Sequence, residues 1–166
     1  MTFLIFQSVI SLGQKIDLEK SSISFTFTHF GMDIIGDCTE FTANLEFDQS
    51  NIENSTVEIS IPAKLITTGG ELRDKHLKCE EFFDVDSHPL ITFNSEVIKA
   101  KGSELLVHGT LLIKGVEKKV VIPMKFEDDL FIGEFNLLRR DYNVGGTGFL
   151  DPVGKEILIQ FNIVLE

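Results

Sequence analysis

The sequence predicts an all-β fold, with eight antiparallel strands closed into a single barrel and one α-helix inserted between the third and fourth strands. Three observations predict it. Apolar and polar side chains alternate with period two along most of the chain, the pattern of half-buried strands. The alternating runs are joined by short loops carrying glycine or paired aspartates, which suit hairpins and set successive strands side by side. An open sheet of that many strands would leave two exposed edges, and closure removes them.

The elements follow in order. "SISFTFTHF" (22–30) puts Ile23, Phe25, Phe27 and His29 on one face and Ser24, Thr26 and Thr28 on the other. "EFTANLEFD" (40–48) repeats this with Phe41, Ala43, Leu45 and Phe47, and "STVEISIPA" (55–63) with Val57, Ile59 and Ile61. The period then changes. From Gly69 to about Phe83, residues Leu72, His76, Cys79 and Phe83 fall near one helical face, with Thr67 or Thr68 as the cap and Glu71 in the first turn. Asp84 to Pro89 reads as a turn, and Pro89 opens the next strand where no donor is needed. Phe82 and Phe83 then plug helix against barrel. The remaining strands are "LITFNSEVI", "SELLVHGTLLIKG", "VEKKVVIPMKFED", "LFIGEFNLL" and "EILIQFNIVLE", with hairpins at Gly102, Gly115 and Asp128-Asp129 and a longer glycine-rich loop over 143–154.

The inward face continues through Ile91, Phe93, Val97, Leu105, Val107, Leu111, Ile113, Val120, Ile122, Met124, Phe131, Phe135, Leu137, Ile157, Ile159, Phe161 and Ile163. Gly109 and Gly133 read as gaps in this lining. An eight-stranded barrel either fills with its own side chains or holds one small ligand, and the pattern leaves both open. A hollow so lined would accept an acyl or isoprenoid chain and refuse a polar metabolite.

Composition agrees with one globular domain: 166 residues, 43% hydrophobic and 25% charged. Fifteen phenylalanines stand against one tyrosine and no tryptophan, and rings without a polar handle need a dry interior. A net charge of −11 and no basic cluster argue against nucleic acid and anionic lipid headgroups as partners. The opening "MTFLIFQSVISLG" (1–13) is uncharged and suits the apolar part of a signal peptide, with Ser11-Leu12-Gly13 as a cleavage site. Its basic start is missing, as if the start codon lay upstream. The other reading is an N-terminal strand or helix packed on the domain, which itself runs from 14 to 166. Cys38 and Cys79 suit either one disulfide or two buried thiols.

No catalytic residues emerge: G-x-S-x-G, C-x-x-C, H-E-x-x-H and phosphate-cradling glycine motifs are all missing, and "GGTG" (145–148) lacks a following helix and lysine. His76 with Glu80, and Asp84, Asp86 and His88, are loose sets of metal-ligand types, but solvated or paired side chains explain them and no metal or cofactor is expected. Arg73 and Asp74 read as a salt bridge fixing helix to barrel rim, or Arg73 meets an anionic lipid head. Arg139, Arg140 and Asp141 pose the same choice, and His29 reads as a hydrogen-bonded core histidine.

"RDKHL" (73–77), "FFDV" (82–85) and "P-x-I-x-F-x-S" (89–95) resemble the YceI-like family of lipid-binding proteins. "GTLLIKGVEKKVVIP" (109–123), "RRDYNVG" (139–145) and "HFGMDIIGDCTEFTANLEFD" (29–48) are similar to further segments of that family, so the resemblance runs from about Gln14 to Glu166. It implies a lipocalin-like barrel, an elongated pore for a polyisoprenoid or other long-chain amphiphile, and export to the periplasm. On that basis Phe25, Phe27, Phe41, Phe47, Ile59, Phe93, Leu111, Ile122, Phe135 and Phe161 are expected to line the pore. Arg73, His76, Leu77, Phe82 and Phe83 are expected at its mouth, where the helix caps it. Cys38, Cys79 and His88 depart from the family pattern near that mouth. The expected function is a periplasmic or secreted carrier with no enzymatic activity, whose partners are its lipid ligand and, transiently, a membrane. Its oligomeric state is open, a dimer included. The alternatives are a filled barrel acting as a structural or stress-response partner and, behind it, a small barrel enzyme.

Overall fold

The computed structural model describes residues 13–146 and 151–166, so the expected signal peptide (apart from Gly13) and the centre of the 143–154 loop lie outside the described residues. Ten strands form one antiparallel sheet: β1 (Ile16–His29), β2 (Met32–Cys38), β3 (Thr42–Glu46), β4 (Thr56–Pro62), β5 (Ile66–Thr67), β6 (Leu90–Lys101), β7 (Glu104–Ile113), β8 (Val116–Glu127), β9 (Leu130–Leu138) and β10 (Glu156–Leu165). The spatial order is β3-β4-β6-β7-β8-β9-β10-β1-β2-β5, and the sheet curls into a barrel-like wall. Among the described residues one α-helix forms, α1 (Glu71–Lys78), between β5 and β6.

The eight expected strands are thus ten, and the helix follows the fifth strand instead of the third, although it sits between the same two stretches of sequence. The two additional strands have a common cause. In β2, "MDIIGDC", adjacent Ile34 and Ile35 break the alternation, yet Ile34 pairs with Phe27 and Gly36 with Phe25 in regular register. β5 is only two residues long and shows no period of its own; it pairs with β2 through Asp37–Thr67 and Cys38–Ile66. One inward assignment shifts as well. A β-bulge between Ser95 and Val97 flips the alternation in β6, so Ile98, 1% exposed, takes the core position in place of Val97.

The wall closes in two ways. Toward the helix, β4 leads through a 3₁₀ turn, Ala63–Leu65, straight into β5 and its pairing with β2. Toward the far end, Gln14 joins β3: its backbone N–H donates to the Leu45 carbonyl (2.8 Å), its side-chain Nε2 to the Phe47 carbonyl (2.7 Å), and its Oε1 accepts from the Phe47 N–H (2.7 Å).

The glycines at 109 and 133 prove to be seats for aromatic rings. A Cβ on Gly133 would stand 2.5 Å from the Phe161 ring, one on Gly109 2.6 Å from the Phe93 ring, and one on Gly36 would collide with the Phe25 ring. Gly133 pairs directly with Phe161 across the β9–β10 ladder, and Gly36 with Phe25 across β1–β2. Each ring lies over a neighbouring strand where only hydrogen leaves room, a cross-strand device that pins register and lets the sheet bend.

Candidate functional site

The inner face of the wall surrounds a cavity of about 210 Å³, counted as space open to the centre of a water-sized sphere. Its lining runs from Ile16, Phe131 and Ile163 toward the far end to Phe82, Phe83 and Val153 toward the helix. Among the side chains expected in the pore, Phe25, Phe27, Ile59, Phe93, Leu111, Ile122, Phe135 and Phe161 border this space. Several of these rings are only partly buried by protein, because one side of each faces the hollow.

Phe41 and Phe47 do not line the cavity. Phe41 precedes β3 and is buried in the wall-side core. Phe47, one residue past β3, meets Phe126 (4.7 Å between ring centroids) and Phe131 (5.0 Å) edge to face, while Phe126 and Phe131 stack 4.4 Å apart. These three rings form an aromatic cluster at the far end.

The opposite end is capped. α1 is strongly polar: Leu77 reaches the cavity, while Leu72 is 84% exposed, not on the packed face that helical periodicity assigned to it. Burial alone would not hold such a helix. The expected threonine cap is also missing: Gly70 occupies the N-cap and no side chain bonds there. Instead Asp74 reaches back, accepting from Thr67 Oγ1 (2.5 Å), Thr68 Oγ1 (2.7 Å) and the Thr68 N–H (2.7 Å). Burial pushes the Asp74 carboxyl up, but these hydrogen bonds and the nearby Lys78 outweigh it and hold the carboxyl below its ordinary range. Among the described residues Arg73 pairs with no carboxylate. Its guanidinium folds onto Thr68, at 3.2 Å to Oγ1 and 3.3 Å to the carbonyl.

After the helix, Phe82 and Phe83 turn into the cavity, as expected of the cap. Arg73 and His76 do not border it: Arg73 is half-buried against Thr68, and His76 is exposed and packs against Phe82 (5.7 Å). The 79–88 turn is tied down by the Gly145 N–H donating to the Glu81 carbonyl (2.8 Å) and by Lys114 Nζ bridging the Glu81 and Asn143 carbonyls.

Arg139, 3% exposed, is the polar centre of this end. It is ion-paired with Asp151 and donates to the carbonyls of Val144, Val153 and Gly154, each at 2.8 Å. Burial pushes the Asp151 carboxyl up, but Arg139, the Val153 N–H and Arg140 together bring it below its ordinary value. Arg139 is therefore structural: it bolts the 3₁₀ segment Arg139–Tyr142 to the strand entering β10. Asp151, not Asp74 or Asp141, is the acid that pairs with Arg139, and sequence spacing did not point to it. One further wall residue escaped sequence reasoning. Tyr142, 2% exposed, borders the cavity, and burial with nearby Asp141 pushes its phenol up to about 12. Cys38 also borders it, its thiol pushed up to about 12 by burial and by Asp37. Cys38 and Cys79 are free thiols. Among the described residues no group of three or more His, Cys, Asp or Glu side chains is placed to share a metal ion, and no helix is long and apolar enough to cross a membrane.

A curled antiparallel wall, an apolar hollow along its axis and a helical cap define the class: small all-β proteins built around an enclosed apolar cavity. Residues 14–165 match the YceI-like domain, and the chain belongs to that family. The proteins named YceI from Salmonella arizonae and Salmonella paratyphi B are each 30% identical to it over 163 residues, covering 90% of this chain and 84% of theirs. Among solved structures, BcnA of Burkholderia cenocepacia superposes with a TM-score of 0.83 at 26% identity, over 90% of this chain and 99% of BcnA. A polyisoprenoid-binding domain from Saccharophagus degradans shares the fold, with a TM-score of 0.70 at 13% identity over 93% of this chain and 98% of that domain.

Proposed function

We propose that this protein is a non-enzymatic carrier that holds a polyisoprenoid or similarly long apolar chain in its axial cavity. The observation that carries this reading is the cavity itself, continuous along the barrel and bordered by Phe25, Ile59, Phe93, Phe135 and Phe161 with hardly a polar group. Each methylene moved from water into such a space contributes about 0.8 kcal/mol, so about ten carbons supply on the order of 8 kcal/mol before the entropy of ordering the chain is subtracted. Membership of the YceI-like family and likeness to a polyisoprenoid-binding domain support the choice of ligand. Leu77, Phe82 and Phe83 form the cover, and Tyr142 meets the ligand's polar end. The guanidinium of Arg139 is occupied by Asp151 and three carbonyls, which favours a neutral head over a pyrophosphate. Export to the periplasm or outside the cell belongs to the same reading and rests on the apolar stretch 1–12.

Native mass spectrometry of the purified protein, followed by solvent extraction, tests the reading. A co-purified or added long-chain isoprenoid should appear at about one per chain, since a barrel of this size holds a single ligand. An unliganded mass that persists after incubation with such lipids would sink it.

A further inference from the structure

The β1–β2 hairpin ends in a turn that neither the cap nor the wall explains. Its loop residues, Phe30 and Gly31, have φ of +50° and +77°, and His29 pairs with Met32 across it. That is the geometry of a type I′ turn, in which asparagine or aspartate normally takes the first position because side chains there are strained. The other two-residue hairpin loops, Gly102-Ser103, Lys114-Gly115 and Asp128-Asp129, are all polar or glycine, although Lys114 also takes a positive φ (+48°) at the first position. Here a phenylalanine occupies the strained position and is also 74% exposed, with Met32 beside it at 64%. The one ring contact Phe30 makes among the described residues is with His29 beside it (4.7 Å between ring centroids), which leaves most of its apolar surface in water.

The tip's location is equally specific. The Phe30 N–H donates to the Pro152 carbonyl (3.0 Å), the Gly154 N–H to the Thr28 carbonyl (2.8 Å), and His29 bridges to Val153. Val153 borders the cavity, and its carbonyl is held by Arg139. The tip therefore projects at the capped end, rooted in the cavity wall, and the exposed Leu72 of α1 stands at that same end. The segment from Thr26 to Ile35 carries Asp33 as its sole formal charge, in a chain whose net charge is −11. Such a near-neutral apolar tip is matched to the interface of a zwitterionic bilayer, and the acidic body keeps it from anionic surfaces.

We infer that Phe30 and Met32 form a membrane-touching tip, which seats the capped end of the barrel on a zwitterionic lipid surface so that an apolar chain passes between bilayer and cavity without crossing water. The function of this contact rests on the reading of the cavity as a lipid site; the contact itself is tested without it. The full chain and its Phe30→Asn variant are floated with ligand-free phosphatidylcholine vesicles, and their thermal midpoints are recorded. Asparagine suits the turn, so the variant should melt at the same or a higher temperature while binding vesicles about tenfold more weakly, since one buried aromatic side chain is worth at least that factor. Met32→Ser should weaken binding in the same direction. Three results overturn the inference: a wild-type chain that does not float, a variant that floats equally well, or a concentration-dependent dimer that Phe30→Asn dissolves while vesicle binding is absent. Isoprenoid occupancy is read separately by native mass spectrometry. Flotation that depends on Phe30 in a chain that never takes up isoprenoid would sink the carrier reading and leave the membrane contact standing.

Discussion

Replacing Gly133 with alanine probes how the cavity wall is made. The new methyl would lie 2.5 Å from the Phe161 ring and 2.5 Å from the Pro123 carbonyl oxygen, roughly an ångström inside ordinary contact. The carbonyl belongs to the β8 ladder and yields little. The ring can yield, and its free direction is the hollow it borders. Overpacking of this kind costs about 1–3 kcal/mol, offset by about 0.4–1 kcal/mol because alanine restricts the unfolded chain. A net loss of about 1–2 kcal/mol should lower the melting temperature by roughly 2–8 °C in a domain of this size. The decisive assay is a double-mutant cycle with Phe161→Leu, followed by urea unfolding. If the ring is what the methyl meets, the second substitution relieves the first, and the coupling should be about 1 kcal/mol or more. Additivity within about 0.5 kcal/mol, or a Gly133→Ala chain more stable than wild type, would refute the reasoning. The displaced ring should also lower isoprenoid capacity, which a mere loss of stability would not do in the folded fraction.

Two other perturbations test the capped end. Arg139→Met removes the principal cation of Asp151, leaving it Arg140 and the Val153 N–H, and should cost up to about 3–5 kcal/mol, measured by denaturant midpoint at neutral pH. Because the folded Asp151 carboxyl lies below its ordinary value of 3.8, its stabilisation is fully present above that pH and is lost as pH falls through the folded value; Asp151→Asn should flatten that acid limb, and an unchanged limb would place the effect elsewhere. At mildly alkaline pH the Cys38 thiol, pushed up to about 12, stays protonated, so iodoacetamide should modify it far more slowly in the folded chain than after unfolding. Equal rates in both states would contradict its place in the wall.

What the sequence disclosed and what it hid divide along physical lines. Long strands with a clean period, such as β7 and β10, were legible because burial on one face dictates their composition, and with them eight of the cavity's aromatic and aliphatic residues. Phe41 and Phe47 have the same composition and parity but sit at strand ends, where the alternation no longer says whether a side chain meets the hollow or a neighbouring ring. β5 was invisible because two residues have no period. The helix was recognisable by its change of period, yet its anchorage was not: an aspartate reaching back onto two threonines looks, in sequence, like half of a salt bridge. Gly109 and Gly133 read as gaps because a pattern of residue types cannot show that a ring from the next strand fills the place of the missing side chain.

Gln14 has a mechanical consequence. Neighbouring strands elsewhere in the wall are laced by ladders, up to nine matched residues in length between β7 and β8, whereas among the described residues β3 meets the stretch before β1 through one residue and one primary amide. The molecule is thus a sleeve fastened near its far hem by a single button. Its girth there is set by the length of one glutamine side chain, and sideways spreading meets least resistance along that line. A cargo too bulky for the collar would find the button before it found any of the stitching.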